Sequence, residues 1–223
     1  YANFFVAQVN DVIGTNYNLE NIILPLAISF FTFQQISYLV DAYRHETREY
    51  NFLHYCLFVT FFPQLIAGPI VHHKEMLPQF ANNDIYKAKH KNLAIGILVF
   101  TIGLFKKVII ADNLALFANP VFTDIGDGRS ITFFTAWSGV LAYSFQLYFD
   151  FSGYSDMAIG IAYMFGIKLP INFNSPYKST SIIEFWRRWH ITLSSFLRDY
   201  LYIAMGGSRK GTYRRYTNLF ITM

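Results

Sequence analysis

Long uncharged segments are the main feature of the pattern of apolar and polar positions along this chain. Asp, Glu, Lys and Arg are missing from residues 21–40, 51–71, 93–105 and 131–149. A helix needs about 20 mostly apolar residues to cross the hydrocarbon core of a bilayer. The shortest of these segments, 93–105, continues to Ala111 if Lys106 and Lys107 snorkel to an interface. The pattern therefore predicts an all-α protein with several membrane-spanning helices.

The charges between these segments predict how the chain crosses the membrane. Basic residues outnumber acidic ones in 72–91 and 168–215, whereas acidic residues prevail in 108–130. By the positive-inside rule, the two basic regions are cytoplasmic loops and the acidic region is an external loop. Residues 150–167 must then enter and leave on the same side, which predicts a re-entrant segment. Three glycines would permit its bend, namely Gly153, Gly160 and Gly166.

The composition supports a membrane-embedded body. Hydrophobic residues make up 53% of the chain and charged residues only 14%, whereas about 25% of an average globular protein is charged. So few polar side chains cannot cover a water-soluble body of this size, and the high apolar content excludes disorder. Cys56 is the only cysteine, which excludes an internal disulfide. We expect one membrane-embedded region, residues 1–223, that is truncated at both ends, because Tyr1 is not an initiator and an apolar stretch stops at Met223.

Several polar side chains lie within or beside the apolar segments. A carboxylate at membrane depth is costly unless it is paired or hydrated, so we expect Asp150 and Asp156 to face a cavity or a basic partner. Buried amides can join neighbouring helices through hydrogen bonds, and this structural role is the one we favour for Gln34, Gln35 and Gln64. The two aspartates are therefore the more informative candidates for function.

The segment with the densest candidate chemistry covers residues 184–200. At helical spacing, its aromatic and aliphatic residues share one face with His190, which predicts an amphipathic helix at an interface or between spans. Ser181 precedes Glu184 by three residues, and this capping-box spacing predicts a helix start near residue 182. A buried neutral imidazole at His190 could take a proton from an attacking hydroxyl. A core histidine with one satisfied hydrogen bond is the structural alternative.

Other kinds of site have less support in the sequence. His72, His73 and Glu75 could suggest a metal site, but the helical HExxH pattern is missing and no cysteine supports one. We therefore expect no metal and place these residues in a solvated juxtamembrane loop. The chain contains no Walker loop, GxGxxG or GxSxG motif. Its positive charge lies in loops that flank apolar segments, which indicates membrane topology and no nucleic-acid partner.

Four strings of the sequence, in this order, resemble motifs of the membrane-bound O-acyltransferase (MBOAT) family. They are FPQLIAGPI at 62–70, YFDFSGYSD at 148–156, LPINFNSPY at 169–177 and FWRRWHITLS at 185–194. The similarity covers essentially the whole chain, and it is strongest to the bacterial branch that includes the membrane subunit of alginate O-acetyltransferases. It implies a multi-helix membrane bundle that moves an acyl group, commonly acetyl, onto a hydroxyl of an exported polysaccharide such as alginate.

The resemblance also implies the surroundings of such an enzyme. Acetyl-CoA or another acyl thioester would be the cytoplasmic donor substrate, and no cofactor would be bound. The protein would be a multi-pass protein of the bacterial inner membrane, surrounded by the lipid bilayer. A periplasmic or extracellular acetyltransferase would be its partner in delivery to the polymer.

Roles for individual residues follow from the resemblance as well. His190 matches one family histidine, which acts directly or shapes the tunnel. The family's other histidine lies in a Trp-His-Gly-like motif beyond Met223, so residues 1–223 alone are expected to be inactive. Arg187 or Arg188 would meet donor phosphates at the cytoplasmic mouth, since guanidinium pairs well with phosphate, with lipid headgroups as the alternative. Asp150 and Asn174 would orient polar groups in the tunnel or serve as structural caps.

Two function classes other than acyl transfer stay open at this stage. The intramembrane aspartates would suit a transporter or flippase, although no internal repeat of the transporter kind is visible. A non-catalytic scaffold of a polysaccharide-modifying complex is the second alternative. Within the enzyme class, D-alanyl transfer to teichoic acid and O-acetylation of peptidoglycan are close alternatives to alginate acetylation.

Overall fold

A computed structural model of the chain describes residues 2–17, 27–46, 51–66, 68–82, 85 and 87–222. The described residues contain helices and no strand, which confirms the predicted all-α class. The helices are α1 (Ala2–Ile13), α2 (Ile28–Tyr43), α3 (Phe52–Thr60), α4 (Phe62–Leu65), α5 (His73–Phe80), α6 (His90–Leu104), α7 (Asp112–Gly126), α8 (Phe133–Met164), α9 (Ile182–Arg188), α10 (Ile191–Phe196) and α11 (Thr212–Thr222). Two π-helical segments (Phe105–Ala111 and Leu197–Tyr202) and one 3₁₀ turn (Pro176–Lys178) complete the set.

One continuous helix runs from His90 to Gly126 through α6, the first π-helical segment and α7. Within the described part of the chain, it is the helix whose length and hydropathy suit a membrane crossing. The helix predicted at 93–111 is therefore confirmed, but it is longer than predicted. The loop predicted at 108–130 is wrong over most of its length, because the helix continues to Gly126. Asp112 lies in the first turn of α7 and is paired with Lys107, so its charge does not end the helix.

Helix α8 is continuous through the region where a re-entrant bend was predicted. It comprises 32 residues without a break, from Phe133 to Met164, and is about 48 Å long at 1.5 Å per residue. The re-entrant prediction for 150–167 is therefore wrong within the part that α8 covers. Gly153 and Gly160 do not interrupt the helix, and they serve instead for close packing against α6.

Four glycines form this packing seam between α6 and α8. Gly96 faces Gly160, and Gly103 faces Gly153, so the two helices run antiparallel. A Cβ atom added at Gly160 would lie 2.6 Å from the backbone nitrogen of Phe100 and 2.7 Å from the Gly96 carbonyl oxygen. No side chain fits in that space, and small residues are what allow helix backbones to approach closely in a membrane. The seven-residue spacing on both helices keeps the seam on one face of each.

The region predicted as a span at 51–71 is not one helix. Helix α3 ends at Thr60, Phe61 is extended with φ −64° and ψ 92°, and the short α4 restarts at Phe62. Pro63 explains the restart, because proline is accommodated in the first turn of a helix but not in its interior. Residues 68–72, which precede α5, are not helical, and this segment brings Ile70 to the site described below.

The other two predicted spans differ in how far the structure describes them. The span at 21–40 is described only from residue 27 onwards, where α2 begins at Ile28, and residues 21–26 lie outside the described part. The segment 131–149 falls inside α8. A buried core joins α3, α5 and α8 through Phe58, Met76 and Ala162.

Candidate active site

The candidate site is built at a break between α9 and α10. The continuous amphipathic helix predicted over 184–200 is wrong, because α9 ends at Arg188 and His190 has left-handed backbone angles, φ 44° and ψ 54°. The predicted helix start is confirmed, since the Ser181 side chain accepts a hydrogen bond from the Glu184 N–H. A non-glycine residue in this conformation is strained by about 1–3 kcal/mol and persists only where its surroundings fix it. Such residues cluster at functional sites.

Asn172 is the residue that fixes His190. Its backbone oxygen accepts the Ile191 N–H at 2.9 Å, and its side-chain Oδ1 lies 3.0 Å from His190 Nδ1. The same Oδ1 accepts the Thr192 hydroxyl at 2.9 Å and the Thr192 N–H at 3.3 Å. Thr192 Oγ1 in turn accepts the Ile70 N–H at 3.0 Å, so the non-helical segment before α5 joins the same network. His190, Asn172 and Thr192 are all buried.

This network determines which nitrogen of His190 is basic. The Thr192 N–H can only donate, so the atom of Asn172 that it meets is the acceptor Oδ1. His190 Nδ1 must then donate its proton to Oδ1, which leaves the lone pair of the neutral imidazole on Nε2. Nε2 forms no hydrogen bond with the described residues. The Asn172 Nδ2 group is buried and has no partner among them either, so a donor also remains available beside the imidazole.

Aromatic rings surround the imidazole of His190. Phe151 meets it edge-on with ring centroids 4.8 Å apart, and Phe30 and Phe173 lie nearly parallel to it at 6.3 and 6.2 Å. His190 lies outside the long apolar helices, and burial lowers its pKa from 6.5 to about 4. The histidine is consequently neutral at physiological pH. The predicted burial of His190 is thus confirmed, and its role as a base stays a prediction.

The two arginines and Asn174 lie beside this site in different environments. Arg188 donates to Glu184 Oε1 at 2.6 Å and to the Asn174 carbonyl oxygen at 3.3 Å. The Asn174 N–H donates to the Arg188 carbonyl oxygen at 3.0 Å, which ties the segment after Asn172 to the end of α9. Arg187 is exposed and forms no hydrogen bond with the described residues. Of the two arginines, Arg187 is therefore the one whose guanidinium is available to a ligand.

Asp150 and Asp156 each face a basic partner, as predicted. Asp150 pairs with Lys107 at 2.5 Å, and Asp156 pairs with Lys106 at 2.5 Å. Lys107 also binds Asp112 at 2.8 Å. The two lysines lie in the π-helical segment between α6 and α7, and their ion pairs join this segment to α8. The pairs account for the aspartates structurally, and no hydrogen bond or ion pair of the described residues joins Asp150 to His190.

A second polar cluster lies at the end of α2. Asp41 is buried, accepts the Tyr200 hydroxyl at 2.9 Å and lies 3.6 Å from His73 Nδ1. His72 stacks on Tyr200. The solvated loop predicted for His72 and His73 is wrong, because His73 is buried at the start of α5 where that helix packs on α2 and α3. Burial lowers the pKa of His73.

No metal centre is formed within the described part of the chain, where no three His, Cys, Asp or Glu side chains are placed to hold an ion.

Asn172, which contacts the imidazole, and Thr192, which holds Asn172, are not among the residues predicted from the sequence. The prediction names Asn174 from the string LPINFNSPY, whereas Asn172 of the same string contacts His190. Both asparagines are flanked by apolar residues, so the pattern alone does not separate them. The left-handed conformation of His190 was also missed, because the helical spacing continues across it.

Comparison with known proteins places this geometry in context. The model of the membrane-bound O-acyltransferase family matches residues 40–223. The chain is 51% identical to a peptidoglycan O-acetyltransferase of Helicobacter pylori, over 99% of this chain and 46% of that protein. It is 48% identical to a probable alginate O-acetylase AlgI of Pseudomonas aeruginosa, over 100% of this chain and 42% of that protein. A teichoic acid D-alanyltransferase of Bacillus subtilis is 35% identical over 82% of this chain and 46% of its own length.

These matches cover the whole site. The family match includes the non-helical segment that carries Ile70, the Asn172 segment and the break at His190. The chain spans about half the length of the curated relatives that it matches. The resemblance seen in the four sequence strings is thereby confirmed, and the chain belongs to the membrane-bound O-acyltransferase family of membrane proteins.

Proposed function

We propose that the protein transfers an acyl group, most simply acetyl, from a thioester donor to a hydroxyl group of an exported glycan, with His190 as the general base. The observation that carries the proposal is the fixed tautomer of His190: Asn172 holds Nδ1 as a donor and leaves the lone pair on Nε2. In a family of O-acyltransferases, a neutral base of this kind is what activation of a hydroxyl requires.

The chemical step balances with the residues at hand. Nε2 of His190 takes the proton from the hydroxyl group of the acceptor or of a carrier. As the proton leaves, the hydroxyl oxygen attacks the thioester carbonyl carbon. The carbon–sulfur bond then breaks, and the leaving thiolate takes the proton from the imidazolium. Asn172 Oδ1 stabilises the imidazolium, because it accepts a hydrogen bond from Nδ1 throughout.

The acceptor is proposed from the relatives. Names of two similar proteins specify acetyl transfer, one to peptidoglycan and one to alginate, at 51% and 48% identity. The D-alanyltransferase is less similar, at 35%, so we favour acetyl over D-alanyl. An exported polysaccharide of the alginate kind is our first candidate, because probable alginate O-acetylases of several Pseudomonas species are 47–49% identical to this chain. Peptidoglycan is the second candidate, because its relative is 51% identical.

The donor and the surroundings complete the proposal. Acetyl-CoA or another acyl thioester would be a substrate rather than a resident cofactor, and the exposed Arg187 is available to its phosphates. We further propose a multi-pass location in the bacterial inner membrane, supported by the uncharged segments of the sequence. A periplasmic or extracellular acetyltransferase would then complete delivery to the polymer.

A matched pair of histidine variants tests this function. His190 and His45 both have left-handed backbone angles, with φ of 44° and 57°, and asparagine tolerates that conformation better than alanine does. His45 is exposed and lies outside the candidate site. The full-length gene is deleted in its host and replaced by the wild type, His190→Asn or His45→Asn. The O-acetyl content of exported polysaccharide and of peptidoglycan is then measured together with the membrane level of the protein.

The outcomes separate the alternatives. We expect His45→Asn to restore acetylation and His190→Asn to fail at an equal membrane level, and the glycan that loses acetyl identifies the acceptor. Full acetylation with His190→Asn would contradict the proposed base and favour a scaffold. Unchanged acetylation in the deletion strain, combined with loss of ion-coupled uptake, would favour a transporter.

A further inference from the structure

A basic cavity lies where the glycine-packed pair of helices ends. Its volume is about 580 Å³, within the usual range for small-ligand sites. The cavity is next to the start of α6 and just past the end of α8, with α5 as its third wall. Its lining includes Lys89, Lys91, Lys168, Asn92, Gln79 and Tyr163. None of these residues belongs to the site around His190.

The walls of the cavity are held together by Gln79 of α5. Gln79 Oε1 accepts the Lys168 N–H at 2.8 Å, and its Nε2 donates to the Lys168 carbonyl oxygen at 3.1 Å. Nε2 also donates to the Glu75 carbonyl oxygen at 2.8 Å, which fixes the amide on its own helix. These bonds tie α5 to the segment after α8, so the cavity is formed without a ligand.

The described residues that line this basic cavity carry charge of one sign. Three of its lining residues are lysines, and no carboxylate of the described residues lines it. Lys89, Lys91 and Lys168 form no ion pair with the described residues, whereas Lys74, Lys106 and Lys107 all do. Lys89 is also the N-cap of α6, a position where the helix dipole is positive and a cation is unfavourable. An anion in the cavity would relieve this concentration of positive charge.

We propose that the basic cavity binds a phosphate group. Phosphate offers several acceptor oxygens and up to two negative charges, and it suits three ammonium donors together with the Asn92 amide and the Tyr163 hydroxyl. The group belongs either to the headgroup of an anionic phospholipid or to a soluble phosphate ester such as coenzyme A. The soluble arm rests on the proposed acyl transfer, but the site itself does not.

The test measures binding and is independent of acetyl transfer. Full-length protein is placed in nanodiscs of phosphatidylcholine and titrated with coenzyme A. In parallel, phosphatidylglycerol is added to the nanodiscs, and the lipid retained by the protein is counted by native mass spectrometry. The cavity variant carries Lys89→Gln, Lys91→Gln and Lys168→Gln. The control variant removes three charges elsewhere, by Lys178→Gln, Arg209→Gln and Lys210→Gln.

We expect the wild type to bind one of the two probes, more weakly at high salt, and the control variant to bind equally well. The cavity variant should bind at least about tenfold more weakly than the wild type, since the loss of a single charge-assisted contact already weakens binding by about that factor. Replacing the same lysines by arginine should retain binding, which excludes a folding defect. Binding of coenzyme A assigns the site to a soluble ligand, and retention of phosphatidylglycerol assigns it to lipid. Wild-type binding of neither probe, or equal losses in the cavity and control variants, would overturn the proposal.

Discussion

The glycine seam between α6 and α8 yields the sharpest prediction about stability. In Gly160→Ala, the new Cβ would lie 2.6 Å from the Phe100 nitrogen and 2.7 Å from the Gly96 carbonyl oxygen. Both atoms belong to the backbone, so the helices themselves must separate. Overpacking of this kind typically costs about 1–3 kcal/mol, and lost contacts along the seam add to that. Helix propensity alone would favour alanine by about 1 kcal/mol.

Gly126→Ala is the matched control for this substitution. Gly126 is also a helical glycine, the last residue of α7, and a Cβ added there would meet nothing within 4 Å. Thermal unfolding of the full-length protein in detergent, followed by tryptophan fluorescence, measures both variants. We expect Gly160→Ala to lower Tm by several degrees, about 2–4 °C for each kcal/mol, and Gly126→Ala to leave it unchanged or slightly raised. A Gly160→Ala protein as stable as the control would refute the antiparallel seam.

Three further predictions concern the histidine site and the ion pairs. Burial lowers the pKa of His190 to about 4, so the unfolded chain takes up a proton below about pH 6.5 before the native state does. The unfolding free energy of the wild type should therefore fall by about 2–3 kcal/mol between pH 7 and 4.5. Denaturant unfolding at the two pH values measures this fall, which should be smaller in His190→Asn than in the wild type. Thr192→Val should lower Tm because it orphans the buried Ile70 N–H, at a cost of about 1–3 kcal/mol, whereas Thr192→Ser should retain it. Lys106→Met should destabilise the protein more than the double variant Lys106→Met/Asp156→Leu, because one charge alone stays without its partner; a double-mutant cycle in the same thermal assay measures the difference.

Local signals in the sequence predict several helix positions correctly. The Ser181–Glu184 spacing gives the start of α9, because the capping hydrogen bond depends on residues that are close in the chain. The uncharged segments likewise predict helices at 93–111 and 131–149, since an apolar run of that length has few other ways to satisfy its backbone.

Features that depend on distant contacts could not be predicted in the same way. The continuity of α8 follows from Gly153 and Gly160 meeting α6, so a spacing that permits a bend instead supports close packing. The break at His190 depends on Asn172, and that side chain is held in turn by Thr192 and, through it, by Ile70, 122 residues earlier. Residue spacing within one helix carries no information about such contacts.

Initial rates of acetyl transfer by purified full-length protein test the role of His190 most directly. A labelled acetyl thioester and the acceptor glycan identified in the host are supplied to wild type, His190→Asn and His45→Asn, with rates normalised to folded protein. If Nε2 of His190 is the general base, His190→Asn should be slower by about 10²–10⁴-fold, and His45→Asn should equal the wild type. A His190→Asn rate within a few-fold of the wild type would contradict the account.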